Sequence, residues 1–110
     1  MPFYLFQAAF KDTTVKALVD TPSNREQASR ELVESFGGKQ HHWFMAFGEW
    51  DLVGIAEFPD NESAAAAVMR VQSGGGLSRA QTTVLFTGEE AERAMRKAKT
   101  TQTSYRPVSG

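Results

Sequence analysis

Apolar side chains occupy both odd and even positions in the strand-like segments of this chain, and that pattern constrains the fold more than any other feature. Read as a hairpin, Lys39 to Phe58 places Trp43, Met45, Phe47, Trp50 and Leu52 on one side and Phe44, Ala46, Val53 and Ile55 on the other. The first segment repeats it, with Tyr4, Phe6, Ala8 and Phe10 opposed by Phe3, Leu5 and Ala9. Successive strand side chains point to opposite faces, so a sheet built from these strands is apolar on both. A half-solvated antiparallel sheet alternates instead. Helices of so short a chain cover one face, and the other would expose more apolar surface than monomers tolerate. Association of two copies through that open face resolves the conflict. A homodimer or a higher oligomer is therefore expected.

Length and composition narrow the classes. The 110 residues suit one domain, and 12 basic against 13 acidic side chains give no electrostatic case for nucleic acid. The chain has no cysteine, which removes disulfides and thiolate chemistry. The opening Met-Pro-Phe-Tyr-Leu-Phe lacks a signal-peptide pattern, and the longest apolar run, Ala64 to Met69, is too short to cross a bilayer. A cytoplasmic protein without membrane or nucleic-acid partners is expected.

The element order follows from local signals. Tyr4 to Phe10 is a strand, and Asp12 caps a short helix carrying Val15, Leu18 and Val19. Thr21 as N-cap and Pro22 at the first helical position open a second helix with a stripe of Ala28, Leu32, Val33 and Phe36, closed by Gly37-Gly38. Lys39 to Phe58 is a hairpin with Gly48-Glu49 as a two-residue type II′ turn, pairing Trp43 with Gly54, Phe44 with Val53 and His42 with Ile55. Asp60 caps a helix through Ala64, Ala67, Val68 and Val71 that ends at Ser73-Gly74-Gly75-Gly76. Leu77 to Phe86 is the fourth strand. Thr87 and Glu90 have capping-box spacing and open a last helix with Ala91, Ala94, Met95 and Ala98. The order βαββαβ plus an extra C-terminal helix is the ferredoxin-like α+β arrangement, a four-stranded antiparallel sheet with helices on one face. Residues 1–99 form that domain and 100–110 a polar tail.

The stretch Phe47-Gly48-Glu49-Trp50-Asp51-Leu52-Val53, followed by Glu57-Phe58-Pro59-Asp60, resembles the signature of the GYD domain family. So do Tyr4-Leu5-Phe6-Gln7, the Gly37-Gly38-Lys39 bend and Arg79-Ala80-Gln81-Thr82-Thr83, and together they span most of residues 3–98 in order. The family's namesake tyrosine is Trp50 here, which keeps the ring and lacks the hydroxyl. The resemblance implies a dimeric α+β barrel and assigns no chemistry. Gly48-x-x-Asp51-Leu52 with the later glycine bend and Thr-rich strand is also similar to the ligand-sensing domain of Lrp/AsnC regulators. Those regulators carry a helix-turn-helix, and no such pattern precedes Tyr4.

Candidate site residues are few. Consecutive strand residues point apart, so His41 and His42 are not expected to chelate one ion, and no metal or cofactor is called for. His42 alone is the candidate acid or base, in a pocket between sheet and helices. Tyr4, Trp43, Trp50 and Asp51 are candidate ligand-binding groups; Trp43, Phe47 and Trp50 form an aromatic cluster in the inferred register. Asp51 beside the turn can instead accept backbone amides. Gln7, Arg79 and Thr83 could orient a carboxylate or carbonyl. The Gly74-Gly75-Gly76 run follows a helix and precedes a strand, the reverse of a phosphate loop. Residues 1–92 carry seven basic and thirteen acidic groups, residues 93–110 five basic and none acidic; complementing the last helix dipole accounts for most of that asymmetry.

Three functional readings follow. The first is a homo-oligomer with a pocket for a small apolar or carboxylate-bearing molecule. The second, by fold analogy, is a cofactor-independent enzyme of the monooxygenase, isomerase or decarboxylase kind, with His42 as acid or base and Tyr4, Trp43 and Asp51 positioning substrate. The third is an effector-sensing module with its ligand between subunits near Gly48 and Asp51.

Overall fold

The computed structural model describes residues 1–108; Ser109 and Gly110, the last two of the expected tail, lie outside the described residues. The chain runs β1 (Phe3–Phe10), α1 (Asp12–Asp20), α2 (Glu26–Ser35), β2 (Lys39–Met45), β3 (Leu52–Glu57), α3 (Asn61–Ser73), β4 (Leu77–Leu85) and α4 (Gly88–Thr100). The four strands form one antiparallel sheet in the order β2-β3-β1-β4. This is the ferredoxin-like topology, βααββαβα when both early helices are counted.

Caps and closing turns set the helix boundaries. Asp60 accepts the Ser63 N–H at 2.8 Å and opens α3. That bond holds the Asp60 carboxyl below its ordinary range. Thr87 and Glu90 form the reciprocal capping box of α4, and the Thr87 amide bond likewise lowers the Glu90 carboxyl. At the end of α2 the Gly38 N–H reaches Val33 O at 2.9 Å and the Gly37 N–H reaches Glu34 O at 3.0 Å, with Gly37 at φ +80°. That bond pair is a Schellman closure, for which a left-handed glycine is suited.

Two expected starts move. α1 begins at Asp12 with Lys11 as its cap, so Asp12 sits in the first turn, where its charge complements the helix dipole. The expected Thr21 cap is not formed: Thr21 closes α1, its N–H reaching Ala17 O at 2.9 Å, and residues 22–25 that follow are not helical. Helix α2 starts four residues later than Pro22, at Glu26, where Asn24 Oδ1 accepts the Glu26 N–H at 3.0 Å.

The hairpin register is as read from the sequence: His42 pairs with Ile55, Trp43 with Gly54, Phe44 with Val53 and Met45 with Leu52. The two-residue turn is not formed. Regular pairing stops at Met45 and Leu52, with one further bond from Ala46 N–H to Asp51 O at 2.8 Å. The Asp51 N–H turns to Ala8 O at 2.9 Å, drawing this end of the loop toward β1.

The fully packed core sits at one end of the sheet. Tyr4 and Ala56 from the strands meet Phe58, Val33 of α2 and Ala64 and Ala67 of α3, with Phe6 and Phe36 alongside. Tyr4, Phe6 and Phe58 interlock with ring centroids 5.8–6.0 Å apart. Gly38 lies so close to β3 that a Cβ there would meet Glu57 O at 2.5 Å and the Phe58 ring at 2.9 Å. Gly38→Ala is predicted to cost about 1–3 kcal/mol through the forced backbone shift, read as a lowered urea midpoint with an unchanged slope.

Candidate functional site

Pairing fixes which residues share each face. Tyr4, Phe6 and Ala8 face the helices, so their partners Ala56, Gly54 and Leu52 do too, and Trp43 and Met45 with them. Beside the core, with Val33, Ala56, Phe58 and Ala67 on its wall, a cleft of about 510 Å³ lies between helices and sheet. Phe6, Phe10, Trp43 and Leu52 line it from the sheet, Leu18 from α1, Leu32 and Ala28 from α2, and Val68 and Val71 from α3. Polar groups on its wall include Thr14, Arg25, Ser29, Gln40 and Thr82. Ser29 and Gln40 are already bonded to each other at 2.6 Å.

Trp43 is the sequence candidate whose ring belongs to this cleft. Its indole Nε1 is buried and has no hydrogen-bond partner among the described residues. Such a donor carries a desolvation cost until an acceptor reaches it.

The other candidates lie elsewhere. Tyr4 is 1% exposed, sits in the packed core, and donates its hydroxyl to Asn61 Oδ1 at 2.6 Å. Burial, reinforced by the charge of Asp60, raises its phenol above the ordinary value. Asp51 accepts the Phe10 N–H at 2.8 Å, holding the hairpin end onto β1. Trp50 lies under the Arg79 guanidinium, 4.4 Å from the ring centroid. Arg79 also donates to Glu49 O at 2.6 Å, so it pins the loop. The expected cluster of Trp43, Phe47 and Trp50 does not assemble, because the loop is pulled toward β1 and β4 and leaves Phe47 fully exposed.

His42 borders the cleft, yet its imidazole is exposed and stacks on Phe44 at 6.2 Å, on the Val53–Ile55 side of the sheet. What it presents beside Gly54 is its backbone carbonyl, 3.3 Å from where a Cβ would stand. The expectation of a histidine acid or base inside the pocket is corrected by this facing. A second correction concerns His41. A register shift between Gln40 and His42 makes His41 a bulge residue, and bulges upset strand alternation. His41 turns to the same open face, 5.4 Å from Phe3, with Nε2 2.7 Å from Glu57 Oε1. The described residues contain no group of three His, Asp or Glu side chains able to hold a metal.

The open face carries Phe3, Leu5 and Ala9 of β1, Val53 and Ile55 of β3, Phe44 of β2 and Leu85 of β4. Phe44 is 61% exposed. None of the described helices is long and apolar enough to cross a membrane.

Removing the Asp51 carboxylate would strand the Phe10 amide, so Asp51→Ala is predicted to lose about 1–3 kcal/mol in urea unfolding. Tyr4→Phe is predicted to lose about 1 kcal/mol at neutral pH with its hydrogen bond. A raised phenol keeps its proton longer when folded than when unfolded. Its contribution is therefore complete below the ordinary tyrosine value of about 10 and lost as pH rises through the folded value. Stability above pH about 10 should fall more steeply in the parent chain than in the Phe variant.

The GYD domain family profile matches residues 4–95. No curated protein matches the chain. Among solved structures, TTHA0845 from Thermus thermophilus is similar at TM-score 0.54 and 19% identity, covering 80% of this chain and 96% of that one. At3g17210 from Arabidopsis thaliana is similar at TM-score 0.52 and 12% identity, covering 79% and 95%. FFRP-DM1 is similar at TM-score 0.52 and 10% identity, covering 78% and 100%. These likenesses show the fold alone, the ferredoxin-like α+β sheet with its helices.

Proposed function

This chain belongs to the GYD domain family, and on that premise we propose that it is a homo-oligomer, paired through its open sheet face, that binds a small and largely apolar molecule in the cleft between sheet and helices. The observation that carries the reading is the cleft itself. Its volume of about 510 Å³ lies in the range of small-molecule sites, and its wall is mostly apolar with a few polar groups. The unpaired Trp43 indole N–H supplies a donor for a carbonyl or carboxylate oxygen once the ring shifts to meet it. Pairing is supported separately, by a second apolar face that the described helices leave uncovered.

Native mass spectrometry of the purified protein tests the ligand. An oligomer carrying extra mass that is lost in Leu32→Trp, a variant that fills the cleft, is the expected result. In a Trp50→Phe background Trp43 is the single tryptophan, and its emission should shift when the extra mass is stripped. A clean oligomer mass with no emission change on adding apolar carboxylates would refute binding in the cleft. For the pairing, Phe44→Glu is predicted to shift sedimentation toward monomer while far-ultraviolet circular dichroism stays unchanged, since an exposed side chain contributes little to the fold of one copy.

A further inference from the structure

Helix α4 makes no extensive packing contact with the other described elements of its chain. None of its residues is buried, and Met95 is 68% exposed. The chain's radius of gyration is 17.9 Å, with extents of 59 × 32 × 22 Å, whereas a compact domain of about 100 residues has a radius near 13 Å. Yet α4 is built as a packing helix. Ala91, Ala94, Met95 and Ala98 recur at i, i+3, i+4 and i+7 and make one apolar stripe. A helix of 13 residues without tertiary contacts is marginal in water. The capping box fixes its start directly after β4, and no residue of the stripe is buried against the body.

Charge bears on what meets the stripe. Residues 1–87 hold seven basic and ten acidic groups, while residues 93–110 hold five basic and no acidic ones. Within α4, Arg96 pairs with Glu92. Among the described residues Lys97 and Lys99 form no ion pair, and Arg93 acts on the Glu90 carboxylate only at a distance. The basic end of the helix complements its own dipole and also matches the net negative charge of residues 1–87, which a second copy of this chain would present to it. β4, the strand from which the helix departs, is an edge of the sheet, so a second copy paired on the open face would lie within reach of the helix.

We propose that α4 is an exchange arm, docking its apolar stripe on the body of a second copy of this chain. The inference rests on the pairing in the preceding section and is independent of any ligand in the cleft. Exposed apolar groups for the stripe are present at the hairpin end of the body, at Met45 and Phe47.

The absence of native cysteine permits a clean test on the full chain. Ala94→Cys, at an exposed position, is labelled with a benzophenone maleimide and mixed with heavy-isotope chain that lacks the cysteine. Irradiation is expected to give cross-links from the labelled helix into residues 1–86 of the heavy chain. Adding Met95→Glu should abolish them while sedimentation still reports the oligomer. Cross-links confined to the labelled chain, cross-links between α4 helices alone, or an oligomer with no interchain product would each overturn the arm. A monomer in sedimentation would overturn the pairing as well, so the two failures are distinguishable.

Discussion

Everything in this molecule depends on the cross-strand pairing of a sheet that is apolar on both sides. Once Tyr4 pairs with Ala56 and Phe6 with Gly54, the alternation of the strands assigns every neighbouring side chain to a face. One face receives the helices. The other, with Leu5, Val53 and Ile55 half-buried and Phe44 exposed, receives none of the helices that pack the core. Shifting the register by one residue would not relieve this, because the residues brought outward are as apolar as those taken in.

The same pairing explains why a cleft exists. Small residues at the packed end, Ala56, Ala64 and Ala67, let α3 come close to the sheet around Tyr4 and Phe58. Beyond them Phe10, Leu18, Leu32 and Leu52 surround the space of the cleft. The end of the sheet is held by polar contacts. Asp51 ties β3 to the end of β1, and Arg79 grips the Glu49 carbonyl while covering Trp50. Two residues that invite a binding reading thus serve to fix the loop beside the cleft.

The fold was legible wherever a signal is local. Glycine closures, the Asp60 cap, the Thr87–Glu90 box and the hairpin register follow from residue chemistry within a few positions. The errors arose where distant groups compete for the same backbone. Thr21 carries a cap signature, but it ends α1 and Asn24 meets the first amide of α2 instead, and the tight turn at Gly48-Glu49 is lost to β1 and β4, which are remote in sequence. Trp43 lines the cleft on the face that the hairpin register assigns it. His42 was misplaced because the choice of which face meets the helices is made by β1 and the core, not by the hairpin. The bulge at His41 has no signature in the sequence, and the clamp by Arg79 needed a contact across 30 positions.

The central claim is that a second copy covers the open face. Its most direct test is the mass of the intact protein in solution, by light scattering behind size exclusion at micromolar concentration. Twice the 12.1 kDa of one chain, or a multiple of that pair, is the predicted result. A mass of one chain under those conditions would contradict the account, since the sheet would then keep its open apolar face without a partner.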